Sequence, residues 1–281
     1  MRTISPSELT DWTFCQKYHF HKRKLGLVNR KISHRDLAAM MGTTVGYIMD
    51  CTYNPVREKR GQFAEDYFWN LVKEQRSLGR TWDYGIEEET LDRVIGKIQS
   101  HINTLMAHED QWLEGATVIA SEPVMKEWGL ARQDLVVETK TGIGRVIDFK
   151  CKYSDKATSF ATSRDVDLYG NQAMLYPIAW NSQGFPLKIT QMRFVYVVEY
   201  KPPIVEDVIC NPKRQAKWLE MYDEACRQIY HHEEHLEAPL LENPYHMTPW
   251  GPCEFREYCN SGEHSQGVLN EFIQVERKEK S

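Results

Sequence analysis

The sequence predicts an α/β chain in which helices come first, a sheet fills the middle, and one more helix leads into a cysteine-bearing tail. Three observations carry this reading. Leu91, Ile95, Ile98, Ile102 and Leu105 recur every three or four residues, the spacing of one helix face. Residues 117–127, 132–139 and 144–151 form a block of strand candidates, the last two joined by the Gly-bearing turn Thr141-Gly142-Ile143-Gly144. Residues 188–199, KITQMRFVYVVE, are rich in the β-branched and aromatic residues that fit a pleated, half-buried surface.

The other elements follow in order. Ser5-Pro6-Ser7-Glu8 reads as a helix start, with Ser5 or Ser7 as cap and Pro6 in the first turn, leading through Leu9, Trp12, Phe14 and Tyr18. Residues 33–50, 61–78, 88–112 and 165–180 are further helix candidates. Pro202 and Pro203 stop the strand at 188–199, and Pro212 opens a long helix to about residue 235. Pro239, Pro244, Pro249 and Pro252 then impose an irregular tail. The expected organisation is one domain: a helical part at 1–115, a sheet carrying the site at 116–200, and a final helix and cysteine tail at 201–281. There is no internal repeat and no low-complexity segment.

Composition bounds the function. A hydrophobic content of 41% over 281 residues is that of a globular chain able to bury a core. No apolar run approaches the ~20 residues that span a bilayer, and the polar start MRTISPSELTDW lacks the apolar stretch of a secretory signal, so a cytoplasmic protein without a membrane partner is expected. Seven cysteines, at 15, 51, 151, 210, 226, 253 and 259, are an odd, scattered set unlike a secreted disulfide framework. The net charge of -5 does not announce a nucleic-acid binder. Its distribution is uneven, with Lys17, His19, His21, Lys22, Arg23 and Lys24 in one cluster and Arg57, Lys59 and Arg60 in another. Charge alone reads these clusters as solvated helix faces.

The most informative segment is RVIDFK, residues 145–150. In an extended strand Asp148 and Lys150 share one face, so a carboxylate and an ammonium project together from an otherwise apolar strand. That pairing is poor for a core and well suited to holding a divalent metal beside a phosphate. The neighbouring strand candidate carries Asp134, and antiparallel pairing across the turn would bring Asp134 close to Asp148. Taken alone, Asp148 and Lys150 also read as a surface ion pair, Gln172 and Tyr176 as helix-packing residues, and each cysteine as a small buried hydrophobe.

The order of these elements, with several short motifs, resembles the PD-(D/E)XK nuclease superfamily, and within it the RecB-like exonuclease branch that includes the AddB nuclease domain and CRISPR-associated RecB-like exonucleases. The opening SPSELTDWTFCQKYHFHKR is similar to the branch's N-terminal signature, GLARQDLVVE to its metal-binding Asp motif, VIDFK to its D-x-K strand, and Gln172-Ala173-Met174-Leu175-Tyr176 to its Q-x-x-x-Y helix. The resemblance implies a restriction-endonuclease-like fold, with a mixed central sheet flanked by helices. It implies Asp134 and Asp148 as ligands to Mg²⁺ or Mn²⁺, Lys150 as the catalytic lysine, and Gln172 and Tyr176 near the active site and the DNA. The Phe149 backbone carbonyl and Glu122 are further candidate oxygen ligands, and Trp128 is a candidate for stacking on a base. Cys253 and Cys259 resemble the last two ligands of a C-terminal iron-sulfur staple that pairs with Cys15.

Two positions depart from the family pattern. The branch has a Gly-x-x-x-His element, and Gly42-Thr43-Thr44-Val45-Gly46 puts glycine where histidine should stand; Gly61-Gln62-Phe63-Ala64-Glu65 offers Glu65 as a replacement ligand. The staple normally has a cysteine three residues before the penultimate one, and that residue is Trp250, so three thiolates would need a further ligand such as His246 or water. The function implied is a metal-dependent DNA exonuclease acting on ends or single strands in recombination, repair, phage replication or CRISPR adaptation, with a helicase or recombination protein as a possible partner. The competing expectation is a degenerate nuclease fold used for DNA binding or assembly, and a third is an RNA-directed nuclease.

Overall fold

The structure is a computed structural model, described here for residues 3–54, 63–128, 131–151, 163–198, 201–234, 247–248, 251–256, 259 and 272–275. The N-terminal part comprises α1 (Pro6–Phe14), the short α2 (Gln16–His19) running into a π-helical turn at Phe20–Lys24, α3 (His34–Tyr53), α4 (Ala64–Ser77), α5 (Glu88–Ala107) and the short α6 (Glu109–Trp112). Local chemistry sets the starts. The Ser5 hydroxyl accepts the Glu8 N–H at 3.2 Å to cap α1. Ser33 and Asp36 form a reciprocal capping box at α3.

The central sheet has five strands, β1 (Thr117–Ser121), β2 (Leu135–Glu138), β3 (Gly144–Cys151), β4 (Ile189–Val197) and β5 (Ile204–Ile209), which neighbour one another in chain order. All pairings are antiparallel except β3 with β4, which are parallel and joined by the crossover helix α7 (Ser163–Ser182). A long α8 (Pro212–Glu234) follows. The mixed sheet flanked by helices is the architecture the sequence predicts.

Alternation along the strands divides the core into two layers. Val136, Val146, Met192, Phe194 and Tyr196 meet α1, α7 and α8 on one face. Leu135, Val137, Ile147, Phe149, Val195 and Val197 meet α3, α4, α5 and Trp112 on the other. Each fully buried aliphatic side chain contributes roughly 1.5–3 kcal/mol. Two such layers offset the cost of seating charged groups within one of them.

Two strand expectations are corrected. The first strand stops at Ser121 rather than running to 127, because Glu122 adopts φ 43 and Pro123 has no N–H to donate. The sequence reading stopped at Pro202-Pro203 and missed β5, an edge strand whose residues are half-exposed or exposed and include Glu206 and Asp207, so it lacks the apolar signature of its neighbours.

Arg193 locks this edge. Its guanidinium donates to both Asp207 carboxylate oxygens at 2.7 and 2.6 Å and to the Trp112 carbonyl at 2.9 Å, and it lies 3.0 Å from Glu114. Both carboxylates are substantially solvated, so the loss on truncation comes mostly from the buried arginine end and the orphaned Trp112 carbonyl. Arg193→Met is expected to lower unfolding free energy by about 1–3 kcal/mol, read from a urea titration. A midpoint equal to wild type would refute that role.

Candidate active site

β2 and β3 build the site. Leu135 pairs with Ile147, so one step further along the same register Asp134 comes opposite Asp148. The Glu122 N–H donates to the Asp134 carbonyl at 2.8 Å, which aligns Glu122 with them at the end of β1. Asp148 in turn pairs with Phe194 of β4. Three carboxylates therefore lie in a row across the sheet, and Asp134, Asp148 and Lys150 share the face covered by α7.

Asp148 is 3% exposed, and the Lys150 ammonium contacts its Oδ2 as an ion pair. That oxygen receives no aligned hydrogen bond among the described residues. The Phe149 N–H donates to Asp134 Oδ2 at 2.7 Å, tying the second carboxylate to the same strand. Lys150 Nζ donates to Gln172 Oε1 at 2.9 Å, and Gln172 Nε2 donates to the Tyr176 hydroxyl at 3.1 Å. Helical spacing puts Tyr169, Gln172 and Tyr176 on one face of α7, and the ammonium sits 4.4 Å from the Tyr169 ring centroid.

Electrostatics follows from this crowding. Burial and the neighbouring Asp148 charge push Asp134 up to about 7, despite the opposing pull of Lys150. Burial raises Asp148 as well, again against Lys150. Burial acts to lower Lys150, but the charges of Asp148, Tyr169 and Asp134 outweigh it and raise the ammonium above its ordinary value. The lysine is thus a fixed cation in this site. Burial also holds the Tyr176 phenol well above its usual range.

Glu122 joins the group electrostatically, raising Asp134, and its side chain lies 3.8 Å from Arg132. Its left-handed backbone is unusual for a residue with a side chain and turns the strand end at the edge of the site. Glu65 is exposed in the first turn of α4. The indole N–H of Trp128, the candidate for stacking on a base, donates to Ser182 at the end of α7 at 2.8 Å, and its ring packs toward Tyr222. Gly61, His246 and Trp250 lie outside the described residues.

Gln133 was missed in the sequence as a site residue. It is fully buried, and its amide donates to the Tyr176 carbonyl at 2.9 Å, fastening β2 to α7. Its sequence signal was a polar residue directly before an apolar strand. Tyr169 was missed too, although its place one helical turn before Gln172 was visible.

Cys15, Cys253 and Cys259 each pack against the cluster of Tyr18, Phe255 and Phe272. The tail returns to the N-terminus as expected, with Phe272–Gln274 pairing antiparallel to Leu27–Asn29. Gly26 permits this approach, with φ 64 and room for no Cβ against the Val275 carbonyl.

A buried carboxylate, Asp148, beside the half-buried Asp134 is a hard-oxygen donor pair that suits Mg²⁺ or Mn²⁺. Among the described residues, no group of three or more His, Cys, Asp and Glu side chains is placed so that it could hold a metal ion by itself. Water and substrate phosphate ordinarily complete such two-carboxylate sites. The sequence profile of the PD-(D/E)XK nucleases matches residues 3–260, nearly the whole chain.

The chain belongs to the PD-(D/E)XK nuclease superfamily. Its fold is shared with the crystal structure of a Eubacterium rectale protein named "Putative exonuclease", at 13% identity and TM-score 0.50, covering 100% of this chain and 91% of that one. A second match, the crystal structure of SSO0001, has 14% identity and TM-score 0.28 over 68% of this chain and 86% of that chain, and adds nothing to the assignment. No curated protein matches the sequence. As a PD-(D/E)XK nuclease the chain is a phosphodiester hydrolase, and nucleases of this superfamily typically use divalent metals. No helix among the described residues is long and apolar enough to cross a membrane.

Proposed function

We propose that this PD-(D/E)XK nuclease is a Mg²⁺- or Mn²⁺-dependent deoxyribonuclease acting on DNA ends or single strands, with Asp134, Asp148 and Lys150 as its reacting group. The observation that carries the reading is the convergence of those three side chains on one face of β2 and β3, with the lysine held by Gln172. A divalent cation bound by Asp134 and Asp148, with the Phe149 carbonyl and Glu122 as further oxygen ligands, supplies phosphate polarisation and a water acidified for attack.

The chain's own residues do the rest. In hydrolysis, water oxygen bonds to phosphorus, the bond from phosphorus to the leaving oxygen breaks, and a proton reaches that oxygen. The Lys150 ammonium offsets the charge that builds on the phosphoryl oxygens, and Gln172 and Tyr169 fix it in position. Its raised pKa makes this electrostatic task a better fit than taking a proton from water. Tyr176, anchored through Gln172 and Gln133, borders the same space and positions the strand being cut.

Incubation with linear and circular, single- and double-stranded DNA and with RNA, in Mn²⁺ or chelator, tests the proposal. Cleavage of linear or single-stranded DNA in Mn²⁺ that stops in chelator is the expected result. DNA binding without cleavage would replace it with the degenerate module, and cleavage confined to RNA would overturn the DNA assignment.

A further inference from the structure

We propose that Arg132 and the stacked ring pair Tyr47 and Tyr67 form a subsite for one unpaired nucleotide beside the carboxylates, with the guanidinium on its phosphate and the Tyr67 ring against its base. The inference rests on the proposed nuclease function for the nature of the ligand. It narrows that ligand to a single strand, because a base is free to lie on an aromatic side chain once it is splayed out of a duplex.

The two rings come from different helices, Tyr47 from α3 and Tyr67 from the start of α4. Their centroids are 3.8 Å apart and their planes differ by 6°. Tyr47 is buried and Tyr67 is half-buried, so the inner ring backs the outer one. A ring already fixed on one face loses little freedom when a base lies against the rest of it.

Asp50 sets this pair beside the carboxylates. It follows Tyr47 by nearly one turn of α3, and its carboxylate accepts the Ser121 hydroxyl at 2.6 Å. Ser121 ends β1 and directly precedes Glu122. Gly46 lies on the same helix face as Asp50, one turn earlier, and a Cβ there would meet nothing within 4 Å. Glycine inside a helix is destabilising relative to alanine, and here no neighbouring atom demands it. The face of α3 next to the ring pair is thus left open.

Arg132 stands on the other side of Glu122. Its backbone is fixed, because Val124 pairs with it, the Gln133 N–H donates to the Pro123 carbonyl at 3.3 Å, and the Gln133 amide is tied to the Tyr176 carbonyl. Its side chain is 55% exposed, with Nη1 3.8 Å from Glu122 Oε2. That separation is beyond hydrogen-bond length, so the carboxylate orients the guanidinium and leaves its N–H groups for a phosphate, which they match two at a time. The charges agree with this placement. Burial and the Glu122 charge push the Tyr67 phenol up against the pull of Arg132, and Arg132 pulls on the Tyr176 phenol as well. The guanidinium therefore lies within electrostatic reach of both hydroxyls, between the ring pair and the helix that holds Lys150 in place.

Anisotropy of labelled oligonucleotides in chelator tests the subsite, because binding is then read without cleavage. Wild type is expected to bind a single strand about 10-fold more tightly than a blunt duplex of the same length. Tyr67→Leu should weaken single-strand binding about 10-fold, and Tyr67→Phe should stay within about twofold of wild type. Arg132→Gln should weaken it by about the same factor and reduce the salt slope by roughly 0.7, the signature of one phosphate contact on a single strand. Moving one abasic position along the oligonucleotide should find a place where the missing base costs wild type about 10-fold and costs Tyr67→Leu nothing. A tyrosine that only supports the fold would not produce that coupling, and a thermal melt of each variant confirms that it is folded. An unbound single strand, a duplex bound as tightly, an equal abasic penalty in wild type and Tyr67→Leu, or an unchanged affinity and salt slope in Arg132→Gln would each overturn the subsite. A chain that shows the coupling yet cleaves nothing in Mn²⁺ would keep the subsite and remove the nuclease reading, whereas cleavage without the coupling would do the reverse.

Discussion

Lys150→Ala is expected to lower the rate of metal-dependent DNA cleavage by about 10³-fold or more while leaving the chain folded. Removing one preorganised charge donor from a transition state costs roughly 10²–10³, and here a second loss adds to it. Without the ammonium, Asp148 remains buried with the ion-pair partner it has among the described residues gone. Its pKa rises further, so it gives up a proton to a metal less readily, and the pH at which cleavage is fastest moves upward. Lys150→Arg should not restore the rate, because a planar guanidinium cannot occupy the place of an ammonium held between Gln172 and the Tyr169 ring. Gln172→Ala, which frees the lysine without removing it, is expected to show a smaller loss of about 10-fold. Initial rates on linear DNA, paired with a thermal melt of each variant, check the set; an undiminished rate in a purified, folded Lys150→Ala chain would remove Lys150 from the reaction.

The sequence revealed whatever depended on short-range periodicity. Asp148 and Lys150 two apart in a strand, Asp134 across a glycine-bearing turn, and Gln172 and Tyr176 four apart on a helix all follow from fixed repeats of two and 3.6 residues. The structure sets them where those repeats lead. Relationships between distant segments were harder to read. Nothing in the string shows that Gln133 would donate to the Tyr176 carbonyl 43 residues away, or that Arg193 would reach both Asp207 and the Trp112 carbonyl. The edge strand β5 was hidden because half of an edge strand faces water, so its composition resembles a loop. Nor does the string show that the Trp128 indole N–H would donate to Ser182, 54 residues away. Local pattern gave the candidate residues; tertiary packing decided which polar groups surround them.

The neighbouring carboxylates also make the cation-free site costly to charge, and this can be measured. Asp134 has an ordinary carboxyl pKa near 3.8 when unfolded and about 7 when folded, raised by burial and by the Asp148 charge. The folded chain therefore holds this proton more tightly. The stability it contributes is complete below the unfolded pKa, falls as pH rises toward the folded value, and is gone above it. Asp134→Asn keeps an oxygen that can accept the Phe149 N–H, now at 2.7 Å, and carries no charge at any pH. The metal-free variant is thus expected to match wild type near pH 4 and to exceed its stability at pH 8 by on the order of 1–3 kcal/mol, while losing cleavage. Adding Mn²⁺ should narrow the gap, because the ion binds folded wild type and neutralises the same repulsion. Urea titrations of both chains across pH 4–8, with and without Mn²⁺, give the comparison. Parallel curves with no pH-dependent divergence would mean that the Asp134 carboxyl titrates like a solvated one, and that the two carboxylates are not held close enough to share an ion.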